Sequence, residues 1–183
     1  MGSPFPDWIK QSWASGESSE FTKSIVSRLG LHTVCQSARC PNQGECWERR
    51  TATFMILGNV CTRNCSFCSV QSGHPEALDP DEPARVAEAV RELNIKHAVI
   101  TSVTRDDLPD GGAAHFARTV EAVRAANPGT TVEVLVPDFL GAEAPIRTVL
   151  ASVPEVFGHN IETVERLYDS LRRRKIGYRD ALR

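Results

Sequence analysis

From Thr53 onward the chain alternates short apolar segments with longer amphipathic ones, and that rhythm limits its fold more than any other feature. Thr53-Phe-Met-Ile-Leu-Gly58, His97-Ala-Val-Ile-Thr-Ser-Val103, Thr131-Val-Glu-Val-Leu-Val-Pro137 and Val156-Phe-Gly-His-Asn-Ile161 read as buried strands. Between them, Asp81 to Leu93 places Val86, Val90 and Leu93 on one helical face, and Ala113 to Ala126 does the same with Phe116, Val120 and Val123. Ala142 to Val153 follows with Ile146, Val149, Leu150 and Val153, and Thr163 to Arg174 with Val164, Leu167 and Leu171. Strands separated by helices of about a dozen residues imply βαβ units, right-handed crossovers and a parallel sheet.

The expected class is therefore α/β, a partial (βα) TIM-type barrel with about four βα units over residues 51–183, preceded by an N-terminal extension over residues 1–50. A ring of eight units takes about 250 residues, so this chain supplies about half of one. Half a ring exposes its last strand edge and the side of its core unless a partner covers them.

Cysteine placement is the second constraint. All six cysteines lie between Cys35 and Cys68, in two groups. Cys61-Thr-Arg-Asn-Cys65-Ser-Phe-Cys68, spaced C-x3-C-x2-C, follows the first strand directly. Cys35-Gln-Ser-Ala-Arg-Cys40-Pro-Asn-Gln-Gly-Glu-Cys46, spaced C-x4-C-x5-C, follows a short helix read from Ser18 to Leu29 on Phe21, Ile25 and Leu29, with Gly30 as its stop. Pro41, Asn42 and Gly44 make this second group a curled loop without regular structure. Structural zinc sites close with four Cys or His ligands, and iron-sulfur cubanes are usually held by four thiolates. Each group offers three. Two cubanes, each with an open iron, fit two separate triads; zinc shared between the groups is the alternative. Disulfides would be spread across a secreted domain rather than clustered.

The remaining composition narrows the setting. With 41% hydrophobic residues and a net charge of -2, the chain has material for one core and no basic surface for nucleic acid or membrane. Arg172-Arg173-Arg174-Lys175 reads as the solvated end of a helix. The opening Met1 to Trp8 lacks the charged and apolar regions of a secretory signal, and no apolar run reaches the roughly 18 residues that span a bilayer. The expected compartment is a reducing cytoplasm.

In a parallel barrel the loops after the strands build the active site. Cys61 to Cys68 lies in one of them. Ser102-Val-Thr-Arg-Asp-Asp107-Leu-Pro-Asp110-Gly-Gly112 forms another, whose acids either bind an ammonium or hydroxyl group or cap the next helix. After the fourth strand, Asn160 and Glu162 face the barrel interior if that strand continues, and a buried Glu needs a partner or ligand. His159 reads as a satisfied loop histidine.

C-x3-C-x2-C with Phe67 before the last Cys resembles the signature of radical S-adenosylmethionine (SAM) enzymes. The wider set, Gly30-Leu-His-Thr-Val-Cys35, Cys40-Pro-Asn-Gln-Gly-Glu-Cys46-Trp47, Thr51 to Gly58, Arg105 to Ala113 and His159-Asn-Ile-Glu-Thr163, resembles the lipoyl synthase family. That resemblance implies a radical SAM barrel and two 4Fe-4S clusters. Cys61, Cys65 and Cys68 would hold the cluster that cleaves SAM; Cys35, Cys40 and Cys46 would hold an auxiliary cluster used up as the sulfur source. Phe67, Asn160 and Glu162 would line the SAM site. Implied partners are an octanoylated lipoyl-carrier protein domain, into whose octanoyl chain sulfur is inserted, and a low-potential electron donor such as ferredoxin or flavodoxin.

The sequence departs from that family in three respects. The Arg-Ser-Ser-Tyr run that supplies the fourth auxiliary ligand does not occur, a Gly-rich SAM-contacting segment is not found before Arg183, and Ser66 and Ser69 stand where the family has Pro and Asp. The expectation is a C-terminally truncated member of the family, with a catalytically inactive iron-sulfur or zinc-binding module as the alternative.

Overall fold

The computed structural model describes Pro6, residues 16–171 and residues 177–182. Most of the N-terminal segment, the basic run Arg172 to Lys175 and the far end of the helix expected from Thr163 to Arg174 lie outside the described residues. In chain order the elements are α1 (Glu17–Arg28), β1 (His32–Thr33), α2 (Val34–Ser37), α3 (Gln43–Glu48), β2 (Thr53–Ile56), β3 (Val60–Cys61), β4 (Gln71–Ser72), α4 (Glu82–Glu92), β5 (His97–Ser102), α5 (Ala113–Ala126), β6 (Thr131–Val136), α6 (Glu143–Ala151), β7 (Val156–His159), α7 (Glu165–Leu171) and α8 (Tyr178–Ala181).

Five strands form one sheet in the order β1-β2-β5-β6-β7. The joins β2-β5, β5-β6 and β6-β7 are parallel. These are the four strands expected from the sequence, each ending before the expected point. At β2 the cause is visible: Leu57 has φ 70° and Gly58 φ 90°, left-handed conformations that no strand continues through. The strand β1 went unforeseen because two residues carry no period. It pairs antiparallel to β2, His32 opposite Met55, so the N-terminal region adds to the same sheet.

Register explains the core. Phe54, Ile100, Val134 and Phe157 stand in one row across four strands. The first three are buried and pack with Val86, Val90, Phe116, Val120 and Val123 from α4 and α5. The adjacent row, Thr53, Val99, Glu133 and Val156, turns to the other face; its first three members are half-buried and Val156 is exposed. One face is packed under helices and the opposite face is largely half-buried, Met55 being its fully buried exception, the alternation that a period of two dictates.

Helix ends follow local chemistry. Pro83 sits in the first turn of α4, where a missing N–H costs nothing. The Asp110 carboxylate accepts from the amides of Gly112 and Ala114 at 2.9 and 2.8 Å to start α5, and Asn127 closes it by donating to the carbonyls of Ala87 and Val123.

Three expectations need correction. Phe21 is 38% exposed, because α1 buries Ser19, Thr22, Ile25 and Val26 instead; the Arg50 guanidinium lies over its ring, 5.1 Å from the centroid. On α6 only Val149 is fully buried, while Leu150 is 46% exposed and Val153, past the helix end, is 66% exposed, since that helix packs chiefly along α5. Finally, the C-x4-C-x5-C stretch is not an irregular loop. It forms α2 and α3, with Thr33 Oγ1 accepting from the Gln36 amide at the start of α2 and Pro41 left in the connection between them. No helix among the described residues is long and apolar enough to cross a membrane.

Candidate cluster-binding site

Beyond β2 the left-handed turn at Leu57 and Gly58 redirects the chain toward the first thiols, and buried charges hold that turn. The Leu57 amide donates to Glu82 Oε2 at 2.9 Å, and the Leu57 carbonyl accepts from Arg105 at 3.1 Å. Glu82 also accepts from His115 Nε2 at 2.7 Å. That bond places the proton on Nε2 and leaves Nδ1 to accept from Arg118 at 3.0 Å. Gly112 packs beneath: a Cβ there would stand 2.4 Å from Leu57 Cδ1.

Next comes β3, which ends at Cys61 and pairs parallel with β4, Cys61 opposite Ser72. The Gly73 amide donates to the Cys61 carbonyl at 2.9 Å, and the Cys68 amide to the Cys65 carbonyl at 3.2 Å. These bonds fold eight residues back on themselves and put Cys61, Cys65 and Cys68 on one excursion. Cys61 and Cys65 are half-buried and Cys68 is exposed, with Phe67 exposed beside it.

Arg63, inside this excursion, is the strongest anchor. Its Nε and Nη2 donate to the two oxygens of Asp106 at 2.8 Å each, and Nη1 and Nη2 donate to the two oxygens of Asp138 at 2.5 and 2.7 Å. The three side chains are only 3%, 5% and 1% exposed. Burial alone would lower the Arg63 pKa, but the hydrogen bonds to Asp106 and Asp138 hold it above the ordinary arginine range. Thr62 adds two bonds to the Thr104 carbonyl, from its amide and hydroxyl, both at 3.0 Å. The thiol-bearing loop is thereby pinned to the loops after β5 and β6, at the carboxyl edge of the parallel sheet.

The acids after β5 divide as one of the two sequence alternatives had it for Asp110, which caps α5. Asp106 belongs to the Arg63 clamp, and Asp107 pairs with Arg105 at 2.8 Å, which holds its carboxyl below the usual range. Arg63, Asp138, Arg105, Glu82 and His115 escaped sequence reasoning. The one available signal was a basic residue between two cysteines and acids at the ends of two strands.

The second group of thiols is set by helices. Cys35 is buried in α2, the Cys40 amide donates to the Cys35 carbonyl at 3.0 Å, and Cys46 lies in α3. Cys35, Trp47 and Ala52 form a small apolar cluster of their own, with Cys46 packed against it. The Trp47 carbonyl accepts from the Thr22 hydroxyl at 2.9 Å, which ties the cluster to α1. Burial pushes the Cys46 thiol up, and the proximity of Cys35 and Cys40 adds to it.

All six thiols are free. Among the described residues no three His, Cys, Asp or Glu side chains converge tightly enough to hold one metal ion. Three thiols per excursion on a backbone already folded back are a donor set of the kind that ligates an iron-sulfur cluster.

Asn160 and Glu162 do not lie where a continued strand would put them. β7 stops at His159, Asn160 is exposed and Glu162 is half-buried. His159 is a strand residue, not a loop residue. Its Nδ1 meets the Val136 carbonyl at 3.3 Å, and its buried Nε2 has no partner among the described residues, so it is only partly satisfied.

Comparison with known proteins finds relatives over most of the chain. The chain is 58% identical over 167 residues to lipoyl synthase from Caldanaerobacter subterraneus subsp. tengcongensis, covering 91% of this chain and 58% of the relative. It is 56% identical over 167 residues to lipoyl synthase from Rubrobacter xylanophilus, covering 91% and 52% respectively. The chain thus spans somewhat over half the length of these curated relatives. The family model described as the Radical SAM superfamily matches residues 55–183, from the β2 strand through the first cysteine group and on to the last helix, and the chain belongs to that superfamily.

Proposed function

We propose that this chain is the cluster-binding part of a lipoyl synthase, a sulfurtransferase that inserts sulfur into a protein-bound octanoyl chain to make the lipoyl cofactor. The observation that supports it best is the pair of cysteine triads on separate backbone excursions, in a chain 58% identical to a lipoyl synthase. In this reading the mostly parallel sheet is a partial TIM-type barrel of the radical SAM kind, with residues 1–50 as an extension and residues 51–183 as the barrel portion. Cys61, Cys65 and Cys68 hold the cluster that binds SAM, and Cys35, Cys40 and Cys46 hold a second 4Fe-4S cluster that is the sulfur donor.

Cluster and SAM together supply one-electron chemistry capable of breaking an inert C–H bond, which lies outside the reach of side-chain acids and bases. The chain's own residues fix positions. Arg63 holds the first thiol loop to Asp106 and Asp138, and Glu82 with Arg105 fixes the turn leading into it. Phe67 offers an exposed apolar surface beside Cys68, and Asn160 and Glu162, just past β7, offer polar groups to SAM. The partners in this reading are an octanoylated lipoyl-carrier domain and a ferredoxin or flavodoxin, with no nucleic acid or membrane, in the cytoplasm.

Anaerobic reconstitution tests it. The expected outcome is about eight irons per chain, two cubanes of four, formation of deoxyadenosine from SAM with a strong reductant, and two added sulfurs on an octanoylated carrier domain by mass. Zinc without iron overturns the reading. Iron without SAM cleavage leaves a cluster-holding module in its place.

A further inference from the structure

Trp47 carries a hydrogen-bond donor that no described residue uses. Its residue is 3% exposed, and its indole Nε1 is buried without an acceptor among the described residues. Buried polar groups are satisfied in the large majority of cases, and an orphan at a functional site is a pointer to a missing acceptor. An unpaired donor of this kind costs about 1–3 kcal/mol, so a purely structural apolar contact at this position would be better served by Phe or Leu.

The surroundings say what the acceptor is. Trp47 shares its apolar cluster with Cys35 and Ala52, and Cys46 packs against it. Cys46 is its neighbour in α3, and the backbone of Trp47 is fixed by Thr22 from α1. The side chains packed with the indole include the sulfurs of Cys35 and Cys46. Sulfur bound to iron carries negative charge and accepts N–H bonds, and such bonds are among the factors that set the reduction potential of a cluster.

We propose that the Trp47 indole N–H donates to a sulfur of the cluster held by Cys35, Cys40 and Cys46, and raises the reduction potential of that cluster. Trp47 is a positioning and tuning residue, and its role rests on the reading that this triad holds a 4Fe-4S cluster. The reduced form carries one more negative charge and is the better acceptor, so the bond favours reduction. The same bond orients the cluster by fixing one of its sulfurs against α3.

The test uses the full chain with Cys61, Cys65 and Cys68 replaced by Ala, so that only the second triad is left to hold a cluster. After anaerobic reconstitution, about four irons per chain are expected; a chain that holds none removes both the underlying reading and this proposal. In that background Trp47→Phe deletes the N–H and keeps an aromatic ring. Site-specific benzothienylalanine at position 47 keeps the bicyclic shape and deletes only the donor. Both substitutions are expected to retain iron while the equilibrium constant for reduction falls roughly three- to tenfold, the value of one modest hydrogen bond. The readout is the midpoint in a dye-equilibrated titration followed by electron paramagnetic resonance, with a shift of the iron-sulfur stretching bands in resonance Raman. A cluster that stays loaded and titrates unchanged in both proteins overturns the proposal and leaves the cluster reading standing. Should the Phe variant lose its iron through misfolding, the benzothienylalanine protein decides by the same midpoint.

Discussion

Arg63 and Asp138 form a two-pronged ion pair, Nη1 to Oδ2 at 2.5 Å and Nη2 to Oδ1 at 2.7 Å, between residues 75 positions apart. With Asp106 on its other edge, the guanidinium is the point where the thiol loop, the loop after β5 and the loop after β6 meet. Arg63→Met leaves two buried carboxylates without their cation and is expected to cost about 3–5 kcal/mol. Arg63→Lys keeps a charge but cannot grip two carboxylates at once, so it is expected to lose less yet still weaken the loop. Urea unfolding of the reconstituted chain, with iron retention measured alongside, checks both.

The two cysteine groups are expected to divide their labour. On the proposed reading, Cys68→Ala is expected to abolish SAM cleavage, whereas Cys40→Ala is expected to spare deoxyadenosine formation and stop sulfur insertion. Product analysis by mass separates the two effects, and equal loss of cleavage in both variants contradicts the division.

Gly112 cannot be exchanged freely. It has φ 91°, and a Cβ would meet Leu57 Cδ1 at 2.4 Å. Gly112→Ala is expected to cost about 1–3 kcal/mol from backbone strain alone, with the clash added. Leu57→Ala relieves the clash but not the strain and removes a buried side chain of its own, so thermal unfolding of the double variant beside both single variants shows how much of the loss each causes.

Glu82 serves two donors, the Leu57 amide and His115 Nε2. Glu82→Ala strands both, at about 1–3 kcal/mol for each buried unpaired group. Glu82→Gln keeps an oxygen acceptor and is expected to be milder. If the turn at Leu57 aims the thiol loop, Glu82→Ala also lowers the iron retained per chain, measured after desalting.

Acid weakens the fold in a defined window. Hydrogen bonds from Arg105, Arg85 and Arg28 hold Asp107, Asp79 and Glu92 below the ordinary carboxylate range, and the Val132 amide followed by Arg124 does so for Glu155. With folded values depressed, the unfolded chain binds more protons, so stability is fully present above the unfolded carboxylate value of about 4 and falls as pH drops through the folded values. Melting temperature followed from about pH 6 downward shows the loss, and Asp107→Asn is expected to flatten that slope.

The strand-helix rhythm and the cysteine spacing were properties of the sequence alone. Period-two and period-3.6 patterns act over a few residues, so β2, β5, β6, β7 and the helices between them could be read directly, with Phe116, Val120 and Val123 in the core as expected. So could the two thiol groups, because three donors within a short stretch are local by construction. Tertiary structure decided what depends on distant partners. Whether α1 turns Phe21 or Thr22 inward rests on the Trp47 carbonyl awaiting it. Whether Asp106 is a ligand-binding acid or half of a clamp rests on Arg63 arriving from another loop. Buried charges and orphan donors find their partners only when the chain closes on itself, and no spacing along the sequence encodes that meeting.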